Sequence, residues 1–483
     1  MSVALPLLAI LAAPPETLVV GLLADPVTLD PHRATDLVSS AVIANICETL
    51  VTFDARGHRP EPGLATTWAT ADNRAWTFTL RENVSFHDGT PFDAQAVVAN
   101  IDSLRRAQAF PGRAERLGPA VVAITLERPN AAVLATLSQP FYSMVSPRAL
   151  HAGAPVGTGP FRLATAQPGV VELRANRDYW GAPPRLARIR FQRFPSAEAL
   201  ALALRDRSVD ATSALDHAHG EALRGEQGLV VASWTGLNLA FLSINGERAP
   251  FGDARVRHAV ARAIDRAALI ESLLGGHGEP ARNPLPPSLW GYSKRTRPLA
   301  QDLAAARRLL AEAGLGEGFE TTILSVASAR PYMPDPERLV DAIRDDLGRV
   351  GIRARPVRVA SWAEYVGRGS RGEYDMMPLG WQADTTDPND FLSALLDSAA
   401  VGTTNRSRYA SLEMDALLKR GRRAPDQATR AATYHEVQEL FQRDMPWVPL
   451  YHVSVLTAHA EAVRGLESDA TGVLRYGRAW KAR

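Results

Sequence analysis

The sequence predicts a two-lobed α/β protein with a smaller subdomain inserted into its first lobe. Three observations carry that expectation. The chain has 483 residues, too many for one ordinary hydrophobic core. Strand-like and helix-like stretches alternate through most of it, the pattern of sheets covered by helices. The apolar, Pro-broken segment from Asp444 to Leu456 suits a strand returning to the first region, so the chain leaves that region once and comes back once. Two lobes joined by two crossings form a hinge. On this reading residues 14–50, 157–237 and 457–483 make lobe 1, residues 51–156 the inserted subdomain and residues 238–456 lobe 2.

The elements follow in order. Leu18 to Leu23 reads as the first strand and Asp25 to Pro31 as a loop leading to a helix over Ser39 to Val51. PEPGLATTW, Pro60 to Trp68, is rich in turn formers and reads as a link. In AWTFTL, Trp76, Phe78 and Leu80 alternate as in a half-buried strand. Asp93 ahead of Val97, Ile101 and Leu104 predicts a capped helix. Strand Val121 to Glu127 and a short helix after Asn130 complete a compact unit ending near His151. PVGTGPF, Pro155 to Phe161, lacks the helix and Lys that a phosphate cradle needs and reads as the exit from that unit. Strands Val170 to Ala175 and Ala187 to Phe194, a helix capped by Ser196 and a strand at Ser208 to Ala214 finish the first lobe.

Asn238 to Asn245 is an apolar strand entering a new region. Asp253 opens the clearest helix, with Val256, Val260, Ile264 and Leu274 on one stripe and Gly275-Gly276 as its stop. Asp302 to Ala313 reads as a helix and Glu320 to Val326 as a strand. Asp335-Pro336 then starts a helix carrying Leu339, Ile343 and Leu347 inward. Strand Ile352 to Val359 precedes Ser361 and Glu364 in capping-box spacing. A strand from Tyr374 to Leu379 comes next, and helices cover Leu412 to Leu418 and Asp426 to Phe441.

Composition excludes several function classes. Lys and Arg number 54 against 52 for Asp and Glu, with no basic stripe, so no nucleic-acid partner is expected. The apolar run from Val3 to Ala13 is too short to span a bilayer but suits a secretory signal, although no Lys or Arg precedes it. Residues 1–13 are therefore expected to be a signal peptide and the chain to be exported to the periplasm. Cys47 is the single cysteine. It rules out an intramolecular disulfide, a CxxC site and a lipid-modified cysteine behind the signal, and it reads as a small packed residue. GxSxG, HExxH, P-loop and dinucleotide fingerprints are all missing, so an enzyme is not expected; a secreted peptidase would need a nucleophile or metal cluster that is not visible. His217 and His219 form an HxH pair in a polar segment without a third ligand, which fits an exposed loop or helix start; no metal and no cofactor are expected.

The chemistry concentrates in YDMMPLGWQADTTDPNDFLSALL, Tyr374 to Leu396. Its strand is expected to break at Gly380-Trp381, where glycine admits a close neighbour and tryptophan offers a flat wall with one N–H. Asp384, Asp387 and Asp390 follow through a Pro-containing turn. Asp387 and Asp390 fit caps of the helix beginning near Phe391, whereas Asp384 lies earlier and is a candidate for a ligand's cation. Arg330 stands before Pro331-Tyr332 at the end of an apolar strand. Proline cannot continue a central ladder, so the guanidinium projects into the space that edge borders.

PEPGLATTW, WTFTLRENVSFHDGTPFDAQAVV, PVGTGPF, NRDYWG, DARVRHAVARAIDRAALI, LPPSLWGY, RPYMPDPERL and GWQADTTDPNDF resemble, in the same order, motifs of the family 5 extracellular solute-binding proteins of ABC importers. The resemblance spans nearly the whole chain after residue 13. It implies a periplasmic-binding-protein-like fold (type II, cluster C) and dipeptide binding above all. Longer peptides, haem or a nickel chelate are the alternatives within the family. It also implies that Asp384 binds the α-ammonium of a peptide and Arg330 its carboxylate, with Trp381, Tyr332 and Gly380 beside the peptide backbone. The implied partners are a small peptide and the permease and ATPase subunits of an inner-membrane importer; the protein itself is expected to be a monomer. The insert looks short between Arg106 and Val121, Cys47 stands where relatives often have Tyr, and the cysteine pair some relatives carry after the GWxxD motif is absent. Those departures leave Arg330 and Asp384 untouched and concern the pocket wall.

Overall fold

The computed structural model describes residues 17–468 and 472–482; the expected signal at residues 1–13 lies outside them. A mixed sheet of twelve strands runs through both lobes. From the outer edge of lobe 2 its order is Ile352–Val359, Phe319–Val326, Met376–Gln382, Asn238–Ile244 and Trp447–Ala460. It continues into lobe 1 through Ala211–Thr212, Thr17–Leu22, Arg188–Arg193, Val170–Ala175 and Phe161–Gln167, while Leu229–Thr235 and Gly278–Pro280 also pair with Trp447–Ala460.

Trp447–Ala460 is the spine of the hinge. Its first half pairs with Asn238–Ile244 in lobe 2 and its second half with Leu229–Thr235 in lobe 1. Where the two crossings meet, the buried Asn238 side chain donates to the Val453 carbonyl (2.8 Å) and accepts the Val453 N–H (2.7 Å). A paired amide this deeply buried fixes which residues face each other at the crossing. Pro449 sits inside the strand beside a register shift at Ala240–Phe241, the kind of bulge where a ladder tolerates proline.

Each lobe builds its own core. Lobe 2 packs Leu239, Phe241, Val260, Ile343, Met376 and Trp447 into one large cluster. In lobe 1 the strand Thr17–Leu22 is covered on both faces, with Leu18, Val20 and Leu22 in one cluster and Val19 in the other, as the two-residue period of a strand requires. A separate antiparallel sheet, in the order Ala65–Thr70, Ala75–Leu80, Val121–Leu126, Gly112–Gly118, is backed by helix Ala94–Arg106. Trp76, Phe78 and Leu80 meet Val97, Ile101 and Leu104 in a third core of its own.

The local start signals hold. Asp93, Ser196, Asp302, Asp335 and Ser361 each accept the N–H of the third residue after them, which satisfies orphan donors of a first helical turn. Other elements differ from the sequence reading. The first helix is short, Leu37–Ile43, and turns carry the chain from there to Val51. The link PEPGLATTW instead contributes the strands Pro60–Pro62 and Ala65–Thr70. The long helix after Asp253 is two helices, Ala254–Ala263 and Arg266–Leu274, because Asp265 caps a second start inside the apolar stripe. Ser208 to Ala214 supplies only the two-residue strand Ala211–Thr212. The focal strand is Met376–Gln382 and passes through Gly380-Trp381 without a break.

Candidate ligand-binding site

Met376–Gln382 is an inner strand of lobe 2, with Gly380 opposite Ala240 and Trp381 opposite Leu239. Gly380 is needed for a close approach: a Cβ there would stand 2.1 Å from Cδ2 of Tyr332. Two of the residues singled out in the sequence are therefore in direct contact. Tyr332 reaches the strand from a tight turn closed by reciprocal Arg330–Met333 backbone hydrogen bonds of 2.9 and 2.8 Å. From the same turn the Arg330 guanidinium lies 4.0 Å above the ring of Trp362, the first residue of helix Trp362–Arg371. The contact is cation–π, and Arg330 has no ion pair to a carboxylate among the described residues. The half-buried Trp381 keeps its indole N–H buried with no acceptor among the described residues.

Beyond Gln382 the chain turns through Ala383–Pro388 into helix Asn389–Leu396. Three carboxylates in this loop do three different things. Asp387 is buried and forms a two-bond ion pair with Arg430, both contacts 2.7 Å, while also accepting the Asn389 N–H (2.9 Å) at the helix start. Asp390, in the first helical turn, reaches back to accept the backbone N–H groups of Asp384 (2.8 Å) and Thr385 (3.3 Å), so it braces the loop instead of capping the helix. Burial, with the charges of Asp384 and Asp387 adding to it, pushes the Asp390 carboxyl up to about 7. Asp384 is thus held by its backbone, and its side chain makes no hydrogen bond or ion pair among the described residues. Partial burial raises its pKa, and no cation among the described residues offsets it.

Asp384, Thr385 and Thr386 border a cavity of about 670 Å³ between the lobes, within the ~300–1,000 Å³ usual for small-ligand sites. Its opposite walls come from lobe 1, including Asn45, Glu48 and Trp180, and from residues 51–156, including Phe53 and Pro140. Arg330, Tyr332, Gly380 and Trp381 do not belong to this lining, so Asp384 alone of the sequence-derived set borders the cavity. The carboxylates Glu48, Asp54, Glu61, Asp384 and Glu467 outnumber Arg475 and Arg478 on the wall, which favours a cationic group there. Glu48 accepts hydrogen bonds from Thr158 (2.7 Å), Tyr179 (2.8 Å) and Trp180 (2.8 Å). Burial raises its pKa and those three donors oppose the rise. Residues 51–156 also touch lobe 2 directly: His58 meets the Ser288 carbonyl (3.1 Å), Gln427 donates to the His58 carbonyl (2.8 Å), and Asn73 donates to that of Ala424 (2.9 Å).

Sequence reasoning missed Glu48, Thr386 and Arg430. Thr386 is buried with an unpartnered hydroxyl on the cavity wall. The donors to Glu48 lie more than a hundred residues away, and only the adjacent aromatics of NRDYWG hint at a shared acceptor. His217 and His219 start helix His217–Leu223 but diverge: His219 pairs with Asp216 (2.8 Å), while His217 meets the Ser454 carbonyl (2.8 Å) and stacks on His277.

Two lobes on a shared spine, with a cavity between them that presents a free carboxylate, define a protein that encloses a small solute. The chain belongs to the family described as bacterial extracellular solute-binding proteins, family 5 middle, whose sequence profile matches residues 59–403. It is similar to Heme-binding protein A of Haemophilus influenzae, 31% identical over 88% of this chain and 84% of that protein. Di/tripeptide-binding protein 1 of Pseudomonas aeruginosa is 29% identical over 96% of this chain and 95% of its own. Among solved structures, the dipeptide-binding protein of Pseudoalteromonas sp. SM9913 in complex with Met-Leu superposes with a TM-score of 0.79 at 26% identity, covering 96% of this chain and all of that one (100%).

Proposed function

We propose that this chain captures short peptides, dipeptides above all, between its lobes and presents them to the permease and ATPase of an ABC importer from the periplasm, as a monomer. One observation carries the reading: on a single lobe, a free carboxylate at Asp384 and a guanidinium without an acidic partner at Arg330 are joined by the strand and turn that bring Gly380 against Tyr332. A free dipeptide is a zwitterion and complements that pair, its ammonium on Asp384 and its carboxylate on Arg330. An extended chain gains at most ~3.6 Å per residue, so a fixed separation of the two charges measures ligand length. The acid-rich cavity wall beside Asp384 and the likeness to peptide-binding relatives support the same assignment. The separate hydrophobic clusters, two in lobe 1 and one in each of the other two parts, support lobe 1 as residues 14–50, 157–237 and 457–483, the inserted subdomain as 51–156 and lobe 2 as 238–456. Ligand would favour the closed arrangement, which is the form the permease would recognise.

The test is thermal stabilisation against free dipeptides, N-acetylated dipeptides, tripeptides and free amino acids. A ligand at a hundredfold excess over its Kd adds ~2.7 kcal/mol of stability. Stabilisation by free dipeptides that is lost on acetylation supports the ammonium contact. The likeness to Heme-binding protein A gives haem a place in the same panel. Stabilisation by haem, with a shifted Soret band and no response to any peptide, would keep the family and replace the ligand.

A further inference from the structure

The phenol of Tyr332 lies within electrostatic reach of two guanidinium groups, Arg330 from its own turn and Arg406 from the loop that follows residues 398–400. Arg406 is placed with some care. Its N–H donates to the Thr404 carbonyl (3.0 Å), and its own carbonyl accepts from the Tyr374 hydroxyl. Its stem passes between helix Trp362–Arg371 and the focal strand at Gly369, where a Cβ would come within 2.8 Å of Arg406 Cδ and 2.9 Å of Met377 Sδ.

The guanidinium at the end of that stem has no matching anion. Among the described residues its buried Nε has no acceptor and the side chain makes no hydrogen bond or ion pair. The ionisable groups around it are the phenols of Tyr374, Tyr332 and Tyr365, with no carboxylate among them, and burial lowers its pKa. An arginine kept only for packing is ordinarily paired or hydrated. Arg408, two residues on in the same loop, is ion-paired with Glu247. A partly desolvated, unpaired guanidinium within electrostatic reach of a phenol that a second unpaired guanidinium also reaches is suited to receive an anion.

We propose that Arg406 is a specificity residue which, with the Tyr332 hydroxyl, receives a second carboxylate of the ligand: the side chain of a dipeptide ending in Asp or Glu. The inference rests on the reading that Arg330 takes the main-chain carboxylate, since both guanidinium groups act on the same phenol. Titration calorimetry of the full chain with Ala-Ala, Ala-Gln and Ala-Glu at pH 7.5 tests it, together with Arg406→Gln and Arg406→Lys. The parent is expected to prefer Ala-Glu over Ala-Gln by about tenfold or more. Arg406→Gln should abolish that preference while leaving Ala-Gln affinity unchanged, and Arg406→Lys should keep part of it. Equal affinity of the parent for Ala-Glu and Ala-Gln overturns the inference without any variant and leaves the peptide reading standing. So does an Arg406→Gln protein that folds and weakens both ligands alike. A parent that binds none of the three peptides overturns the peptide reading itself, and this inference with it.

Discussion

The two ends of the loop after the focal strand hold carboxylates with opposite fates. At the inner end Asp387 is 4% exposed and fully answered: Arg430 grips it with two bonds, and the guanidinium in turn donates to the Tyr434 hydroxyl (2.9 Å) and the Gly421 carbonyl (3.1 Å) and lies 5.0 Å from the ring centre of Trp290. At the outer end, three residues earlier, Asp384 has a fixed backbone and a side chain with no cation. The fold offsets the burial of one charge and leaves the other to solvent and ligand. The inner pair makes the loop rigid enough for the outer carboxylate to have a defined position, which is what separates a binding site from a surface acid.

The largest expected effect comes from breaking the inner pair. Arg430→Met leaves Asp387 buried and alone, and urea unfolding should show a loss of about 3–5 kcal/mol. Adding Asp387→Asn to that variant should restore part of it, because the uncompensated charge is gone. Asp384→Asn should behave in the opposite way, leaving stability unchanged or slightly raised while dipeptide affinity measured by calorimetry falls by ~2 kcal/mol or more. If Asp384→Asn unfolds the protein, or binds dipeptides as well as the parent, the contrast between the two ends is wrong. A smaller change sits behind the loop. Gly380→Ala would drive a methyl into the Tyr332 ring and should lose about 1–3 kcal/mol of stability, with Tyr332 displaced in a crystal structure of the variant.

What the sequence could reveal follows from range. Caps such as Asp93, Ser196 and Asp335 were legible because donor and acceptor lie within three residues, and Trp76, Phe78 and Leu80 were legible because a strand's period is local. Gly380 was legible as a point of close approach, but nothing nearby named Tyr332 as the neighbour. Asp387 looked like a cap because its main partner, Arg430, lies 43 residues on. The second start at Asp265 was hidden by an apolar stripe that continues across both helices, and the strands at Pro60–Pro62 and Ala65–Thr70 by turn-forming residues that here occupy a bulged edge. Glu48 and Arg406 carried no local mark. Their meaning comes from side chains that only the fold assembles.

The finest test of the comparison is the helix residue that braces the loop. Asp390 ties Asp384 and Thr385 to the helix, and its carboxyl titrates at about 7 in the folded chain against about 3.9 when unfolded. Between those values the folded state holds a proton that the unfolded state has lost, so its contribution to stability is complete below about pH 4, declines as pH rises and is gone above about pH 7. Partial exposure of the side chain discounts the full shift to roughly 1–2 kcal/mol. Urea unfolding at pH 4.5, 6 and 8 should therefore show the parent losing stability with rising pH relative to Asp390→Asn. An ammonium on Asp384 adds a positive charge beside both carboxyls and favours their ionised forms, so peptide binding near pH 6–7 should release protons. Calorimetry in buffers of different ionisation enthalpy measures that release directly, and it should shrink in Asp390→Asn and vanish above pH 8. Absence of any proton release from the parent near pH 6–7 would mean that the ligand's charge sits elsewhere and that the free carboxylate at the outer end of the loop is not its counterpart.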